Sequence, residues 1–318
     1  MKIAILTSGG DSSGMNPAIK RFVEYSLYKG YEPYLIYNGL EGLIDNNIKK
    51  ASYKDVSGII FRGGTIIKSA RSKRWYEKKY RKIAYNNLKK ENIEFLIVLG
   101  GDGSFRALNI FYHEFDIPFI GIPATIDNDI ALNEYSIGVD TALNVIRKAI
   151  DEIRDTASSF KRAFIIEVMG RECGYLALMS SIANGAEMCL IPEVKYNLDN
   201  LKQKYLTEIK NGRDYFIAIV AEGINKTNNI KEWFEKEIGF ESRTTILGHI
   251  QRGGSPTVFE RIMAHKFISF AIDNIKNKNK IVTFYKDRFI LRDIDKIVNS
   301  NYKLDEYMLQ LAKPLMGV

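Results

Sequence analysis

The chain has 318 residues, 46% of them hydrophobic, and 46 Lys and Arg against 38 Asp and Glu, for a net charge of +8. That is ample apolar content for one large α/β unit or two interleaved domains, and the positive balance suits anionic ligands. Two cysteines, Cys173 and Cys189, exclude a disulfide framework and a cysteine zinc cluster, and a count of three His argues against a His-based zinc site.

The first residues, Met1 to Leu6, read as a strand that runs straight into glycines. They are too short for the apolar core of a signal peptide, and no later run is long enough to span a bilayer. A cytoplasmic protein with no membrane partner is expected. The cations are spread along the chain without a long basic run, so no nucleic-acid partner is expected either. Phosphorylated small molecules are the more economical ligands.

Strand-like runs come in order at Lys2–Thr7, Gly58–Phe61, Phe95–Leu99, Ile117–Ile122, Phe164–Val168, Met188–Ile191 and Phe216–Ala221. They are continuous rather than alternating, as strands covered on both faces are. Helical stretches separate them, which predicts an α/β fold with doubly wound, mostly parallel sheets. The segments after these runs are more telling: Ser8-Gly9-Gly10-Asp11, Arg62-Gly63-Gly64-Thr65, Gly100-Gly101-Asp102-Gly103-Ser104, Pro123-Ala124-Thr125-Ile126-Asp127-Asn128-Asp129, Met169-Gly170-Arg171 and Glu222-Gly223. Ligands of open α/β sheets bind outside the carboxyl ends of the strands, and repeated glycine and polar groups there predict such a crevice.

Each loop suggests a chemistry. Gly9-Gly10 and the GGDGS loop each open a predicted helix, where glycines and free N–H groups receive phosphate. Tight strand–helix turns are the structural alternative. Neither loop fits the Walker or Rossmann glycine patterns. Asp102 is a hard oxygen ligand suited to Mg²⁺. Thr125, Asp127 and Asp129 are either part of the site or a solvated turn with an Asp as helix N-cap. Arg71, Arg162, Arg171, Arg243 and Arg252, with His249, supply cations and donors for phosphate oxygens.

Five of these loops, all but Glu222-Gly223, together with Leu247-Gly248-His249-Ile250-Gln251-Arg252-Gly253-Gly254-Ser255-Pro256, make six motifs that stand in the order of the bacterial-type 6-phosphofructokinases (phosphofructokinase A family), which the sequence resembles over nearly its whole length. The resemblance implies transfer of the γ-phosphoryl of ATP to the 1-hydroxyl of fructose 6-phosphate, with Mg²⁺ as cofactor. Asp127 would be the base, with Thr125 near the transferring group and Arg71 and Arg171 stabilising its charge. Asp102 would hold Mg²⁺, and Gly10, Arg71, Ser72, Gly101, Gly103 and Ser104 would contact ATP. Met169, Gly170 and Glu222 would line the sugar site, while His249 and Arg252, with Arg162 and Arg243 of a neighbouring subunit, would hold the 6-phosphate. A homotetramer with shared active sites is then expected. The resemblance also implies two domains with the site in the cleft between them: 1–138 plus 252–303 for ATP and Mg²⁺, and 139–251 plus 304–318 for the sugar phosphate.

Departures from the family pattern bear on donor and regulation. Pyrophosphate-using relatives carry Asp where Gly103 stands and Lys where Ala124 stands, so ATP is the expected donor. A pyrophosphate-dependent enzyme is the alternative, and a catalytically idle nucleotide-sensing subunit a second. Leu40, Ser72, Tyr76 and Ala107 differ from the usual adenine surroundings. Lys20, Arg154, Glu187 and Arg213 match the family's effector site for ADP or phosphoenolpyruvate. Glu24, Tyr53, Gly58 and Asn211 do not, which predicts weak regulation.

Overall fold

A computed structural model describes residues 1–318. The chain separates into two compact units, Met1–Thr141 with Arg252–Lys303, and Ala142–Gln251 with Leu304–Val318. It runs through β1 (Lys2–Thr7), α1 (Met15–Tyr28), β2 (Glu32–Ile36), α2 (Gly39–Ile44), β3 (Ile48–Lys50), α3 (Lys78–Lys90), β4 (Phe95–Gly100), α4 (Asp102–Phe115) and β5 (Phe119–Pro123). After α5 (Val139–Phe160) come β6 (Ala163–Val168), α6 (Tyr175–Ala183), β7 (Met188–Leu190), α7 (Leu198–Lys210), β8 (Phe216–Ala221), α8 (Thr227–Trp233) and β9 (Ser242–Ile246). The last elements are α9 (Val258–Asp273), β10 (Lys280–Tyr285), β11 (Arg288–Asp293), α10 (Ile294–Val298) and α11 (Glu306–Ala312).

The first unit holds a seven-stranded sheet in the order β11-β10-β5-β4-β1-β2-β3. Its five inner strands pair in parallel, and β3 and β11 close the edges antiparallel. The apolar run Phe95–Leu99 is buried at every position because helices cover both faces of a central parallel strand. Ala4, Leu6, Val98, Phe105, Leu108 and Phe119 belong to the core built on one face. The second unit holds an all-parallel four-stranded sheet, β7-β8-β6-β9. Its core gathers Ile165, Leu190, Tyr205, Phe216, Val220 and Phe234, with the Tyr205 and Phe216 rings 4.7 Å apart.

The parallel register decides where the loops meet. Thr7 pairs with Leu99 and Gly100 with Pro123, so the segments after β1, β4 and β5 leave the sheet side by side. Val168 pairs with Ala221 and Glu167 with Ile246, which does the same for the segments after β6, β8 and β9. The run Gly58–Phe61, by contrast, is not a strand: it is a turn closed by Arg62 N–H donating to the Ile59 carbonyl at 3.0 Å. Ile59 alone is buried there, while Phe61 is exposed, so the run is too short to cross a sheet. Arg62-Gly63-Gly64-Thr65 therefore comes after a turn and not a strand. No helix of the chain is long and apolar enough to cross a membrane.

Where α1 packs on α9, Arg21 Nε donates to Ser269 Oγ at 2.8 Å, and His265 lies beside it with Nε2 buried. Burial, then Arg21 and Lys20, hold the imidazole's pKa below its ordinary value, and Glu24 opposes them. A lowered folded-state value means that the unfolded chain binds the proton first. The stability His265 contributes is present above roughly pH 6.5, the unfolded value, and is lost as pH falls through the folded one. A His265→Gln variant should lose less thermal stability than the parent between roughly pH 7 and 5, read as unfolding midpoints across that range.

Candidate active site

In the first unit, the segment after β1 is tied to its neighbours through short hydroxyl side chains. Ser104 Oγ donates to Ser8 Oγ at 2.9 Å, Ser69 Oγ to the Gly9 carbonyl at 2.8 Å, and Thr7 Oγ1 to the Lys68 carbonyl at 2.9 Å. The helix α1 opens only at Met15, so Gly9 and Gly10 lie in a loop ahead of it rather than at its first turn. Arg252 lies against Gly10: a Cβ built there would meet Nη1 at 2.2 Å, so any larger residue would have to push the guanidinium aside. Its Nη1 donates to the Asp11 carbonyl at 3.4 Å. Arg252, expected to hold the sugar 6-phosphate, thus sits over the first glycine loop.

Gly101 caps α4, with Asp102 in its first turn, where the partial positive charge of the helix end favours a carboxylate. Asp102 Oδ2 accepts from Arg106 Nε at 2.7 Å, one turn along. A Cβ on Gly101 would meet the Thr125 side chain at 3.5 Å, and Ala124 N–H donates to the Gly100 carbonyl at 2.9 Å. The metal candidate Asp102 and the Thr125 loop are therefore adjacent. No group of three or more His, Cys, Asp and Glu side chains gathers anywhere to cage an ion. One half-buried carboxylate at a glycine loop instead fits Mg²⁺ delivered with nucleotide phosphates, which keeps most of its waters.

No helix starts at Thr125–Asp129, which disposes of the N-cap alternative; the next helix is α5. The loop is folded back on itself. Thr125 Oγ1 accepts from Asp127 N–H at 3.3 Å, Asn128 adopts a left-handed backbone (φ 51°), and its Nδ2 donates to the Glu134 carbonyl at 3.0 Å. Asp127 is buried and Thr125 and Asp129 half-buried. Arg71 is exposed, and Ser72 Oγ accepts from Trp75 N–H at 3.0 Å, so that hydroxyl already caps a turn.

In the second unit, Met169, Gly170, Arg171 and Glu222 come together. Glu222 Oε1 accepts from Gly170 N–H at 3.2 Å and Arg171 N–H at 2.7 Å. Arg171 is exposed and holds a left-handed backbone, φ 54°. Gly223 passes so close that a Cβ would stand 2.2 Å from the Arg171 carbonyl oxygen. Arg162 and Arg243, beside each other at the start of β6 and β9, both pair with Glu241, Arg162 Nε at 2.9 Å. Arg162 first, and then Arg243, hold the Glu241 carboxyl below its ordinary range. His249 is exposed on a 3₁₀ turn, Gly248–Arg252. Among the effector candidates, Arg213 Nη1 pairs with Glu187 at 2.5 Å and Arg154 Nη1 donates to Tyr215 Oη at 3.3 Å, while Lys20 belongs to α1 of the first unit.

Two supporting residues have no counterpart among the sequence candidates. Asn16, fully buried in α1, donates from Nδ2 to the Arg62 and Gly63 carbonyls at 3.0 Å and accepts from Ile66 N–H at 2.7 Å, fixing the loop that leads to Arg71. Gln251, also buried, accepts from Met169 N–H at 3.1 Å and donates to the Gly248 carbonyl at 2.9 Å. The only sequence signal for either is an amide in an otherwise apolar or glycine-rich stretch.

Doubly wound parallel sheets, glycine loops with a hydroxyl and carboxylates at the strand ends, and arginines among them define an α/β enzyme for phosphorylated ligands. The family model described as phosphofructokinase matches residues 2–275. The chain is 58% identical over 314 residues to the ATP-dependent 6-phosphofructokinase of Sulfurimonas denitrificans, covering 98% of each chain. It is also 58% identical over 314 residues to that of Sulfurovum sp. NBC37-1, covering 98% of this chain and 96% of the other. Among solved structures, phosphofructokinase from Saccharomyces cerevisiae matches with TM-score 0.89 and 32% identity over 99% of this chain, which spans 46% of the yeast chain. A pyrophosphate-dependent phosphofructokinase from Marinobacter aquaeolei shares the fold, with TM-score 0.82 at 17% identity over 99% of this chain and 90% of that one. This chain belongs to the phosphofructokinase family.

Proposed function

We propose that the protein is an ATP-dependent 6-phosphofructokinase that converts fructose 6-phosphate to fructose 1,6-bisphosphate in glycolysis, in the cytoplasm and as a homotetramer. The observation that carries this reading is the cluster of tied loops after β1, β4 and β5, in a chain whose relatives carry that name. Phosphoryl transfer is largely positioning and charge stabilisation, with one carboxylate to orient the nucleophile. Asp127 takes the proton of the sugar 1-hydroxyl as its oxygen bonds to phosphorus and the bond to the nucleotide breaks. Arg71 and Arg171 balance the charge on the transferring group, and Thr125 lies beside it. Gly10, Gly101, Gly103 and Ser104 receive the nucleotide phosphates. Met169, Gly170 and Glu222 line the sugar, and His249 and Arg252, with Arg162 and Arg243 of a neighbouring subunit, neutralise its phosphate. Mg²⁺, near Asp102, would neutralise phosphate charge.

ATP is favoured over pyrophosphate by local space. Nothing lies within 4 Å of a Cβ added at Gly103, which leaves the loop open to a nucleotide phosphate, and Ala124 carries no cation to clamp pyrophosphate. A coupled assay with fructose 6-phosphate should show turnover with ATP and Mg²⁺ and little with pyrophosphate. Pyrophosphate as the better donor would overturn the reading.

Regulation by ADP or phosphoenolpyruvate is weak in this reading, because Lys20 Nζ already pairs with Glu24 at 2.5 Å and Arg213 with Glu187. A groove of about 450 Å³ beside Arg213, lined also by Asn211 and Tyr215, leaves space for a ligand but offers it a cation already paired. Titrating either effector should shift half-saturation for fructose 6-phosphate by less than the roughly fivefold at which allosteric coupling typically begins. A larger shift would refute it.

A further inference from the structure

We propose that Glu193 is a positioning residue for phosphoryl transfer: it anchors the far end of the Gly170–Gly174 turn and so fixes the pose of Arg171. This rests on the reading that Arg171 stabilises the transferring phosphoryl group.

The turn is short and under tension. Arg171 holds φ 54°, a conformation that a non-glycine residue leaves readily, while Gly170 at φ 139° is at ease. Within the turn, Cys173 N–H donates to the Gly170 carbonyl at 2.9 Å. Outside it, two carboxylates take three more backbone donors. Glu222 accepts from Gly170 and Arg171 at the near end. Glu193 Oε1 accepts from Gly174 N–H at 2.8 Å at the far end.

Gly174 is also the N-cap of α6 and brings no side chain of its own to satisfy the helix's first donors. A carboxylate from 19 residues along the chain does part of that work. It also faces the positive end of the helix. The approach is close: a Cβ at Gly174 would stand 2.4 Å from Ile191 Cβ and 2.6 Å from Glu193 Oε2. Although Glu193 is exposed as a residue, its carboxyl head turns inward against this turn. Withdrawal of that head from water raises its pKa, and Glu172 adds to the effect, while Gly174 N–H opposes it. A glutamate serving only solubility would keep its head in solvent.

The two anchors differ in what they can reach. Glu222 comes directly after β8 and belongs to the sugar candidates, whereas Glu193 lies beyond β7 and touches the turn only through Gly174. Glu193 therefore acts on Arg171 through backbone alone, and its loss should change the chemical step without changing nucleotide binding.

The test is steady-state kinetics on the purified full chain with ATP, Mg²⁺ and fructose 6-phosphate, together with unfolding midpoints. Glu193→Ala should lower kcat by about ten- to a hundredfold, the scale of an ångström-level misplacement. KM for ATP should stay at the parental value. Glu193→Gln, which keeps an acceptor for Gly174, should restore most of the turnover. In the Arg171→Ala background, Glu193→Ala should add little, since both changes act through one group. Additive losses, or an Ala variant with parental kcat while Arg171→Ala is impaired, would overturn the role of Glu193 alone. Parental turnover in Arg171→Ala would overturn the reading of Arg171, and this inference with it.

Discussion

Replacing Asp127 with Ala should lower turnover by about 10²- to 10⁴-fold, the range that a positioned general base supplies. Its carboxylate belongs to a buried residue 2% exposed, on a loop whose conformation is set by its own atoms: the Thr125 hydroxyl on Asp127 N–H, and Asn128 on the Glu134 carbonyl. A residue held that firmly is not moved when a neighbour is trimmed, so the variant should remove the base and leave the loop. Fructose 6-phosphate and ATP affinities, measured at equilibrium, should change far less than kcat. An Ala variant that keeps more than a tenth of the parental rate would show that Asp127 is not the base. Asp127→Asn should fall nearly as far, because the amide preserves shape but accepts no proton.

The second large effect is on stability. Glu260 in α9 is fully buried and gathers four donors: Tyr135 Oη and Gly138 N–H at 2.7 Å each, and Thr141 N–H and Oγ1 at 3.2 Å each. This carboxylate fixes the stretch from Tyr135 to Thr141, and Ile137 N–H in that stretch donates to the Pro123 carbonyl at 2.9 Å, just ahead of the Thr125–Asp129 loop. Glu260→Ala strands these donors and opens a cavity, so it should cost about 3–5 kcal/mol in denaturant unfolding. Burial raises the carboxyl's pKa, against the hydrogen bonds from Gly138 and Tyr135. The folded state therefore takes up the proton before the unfolded one, and this residue's contribution improves as pH falls through the folded value toward roughly 4.5. Glu260→Gln should lack that pH dependence; a Glu260→Ala protein as stable as the parent would remove Glu260 from this role.

Most central strands were legible because strands covered on both faces are nearly all apolar, as Phe95–Leu99 and Phe216–Ala221 are. Other strands were not. β2 and β10, though inner, are interrupted by Pro33 and Thr283, the edge strand β9, Ser-Arg-Thr-Thr-Ile, is mostly polar, and β11, Arg-Phe-Ile-Leu-Arg-Asp, holds three apolar residues between charged ones. Gly58–Phe61 misled for the opposite reason, since three apolar residues in a row suit a turn as well as a strand. Among the candidate site residues, glycines, arginines and acids were read by type and place. Asn16, Gln251 and Glu193 did not, because each works by bonding backbone atoms far along the chain, and such a partnership leaves no local pattern.

The left-handed backbone of Arg171 has a consequence for engineering. A side chain at φ 54° carries a conformational penalty of about 1–2 kcal/mol, which glycine at the same position escapes in part. Selection for thermal tolerance alone would therefore favour discarding the side chain to which the proposed mechanism assigns charge stabilisation. Variants chosen for robustness should drift toward Arg171→Gly and become inert, so any stabilisation campaign on this scaffold must hold Arg171 fixed.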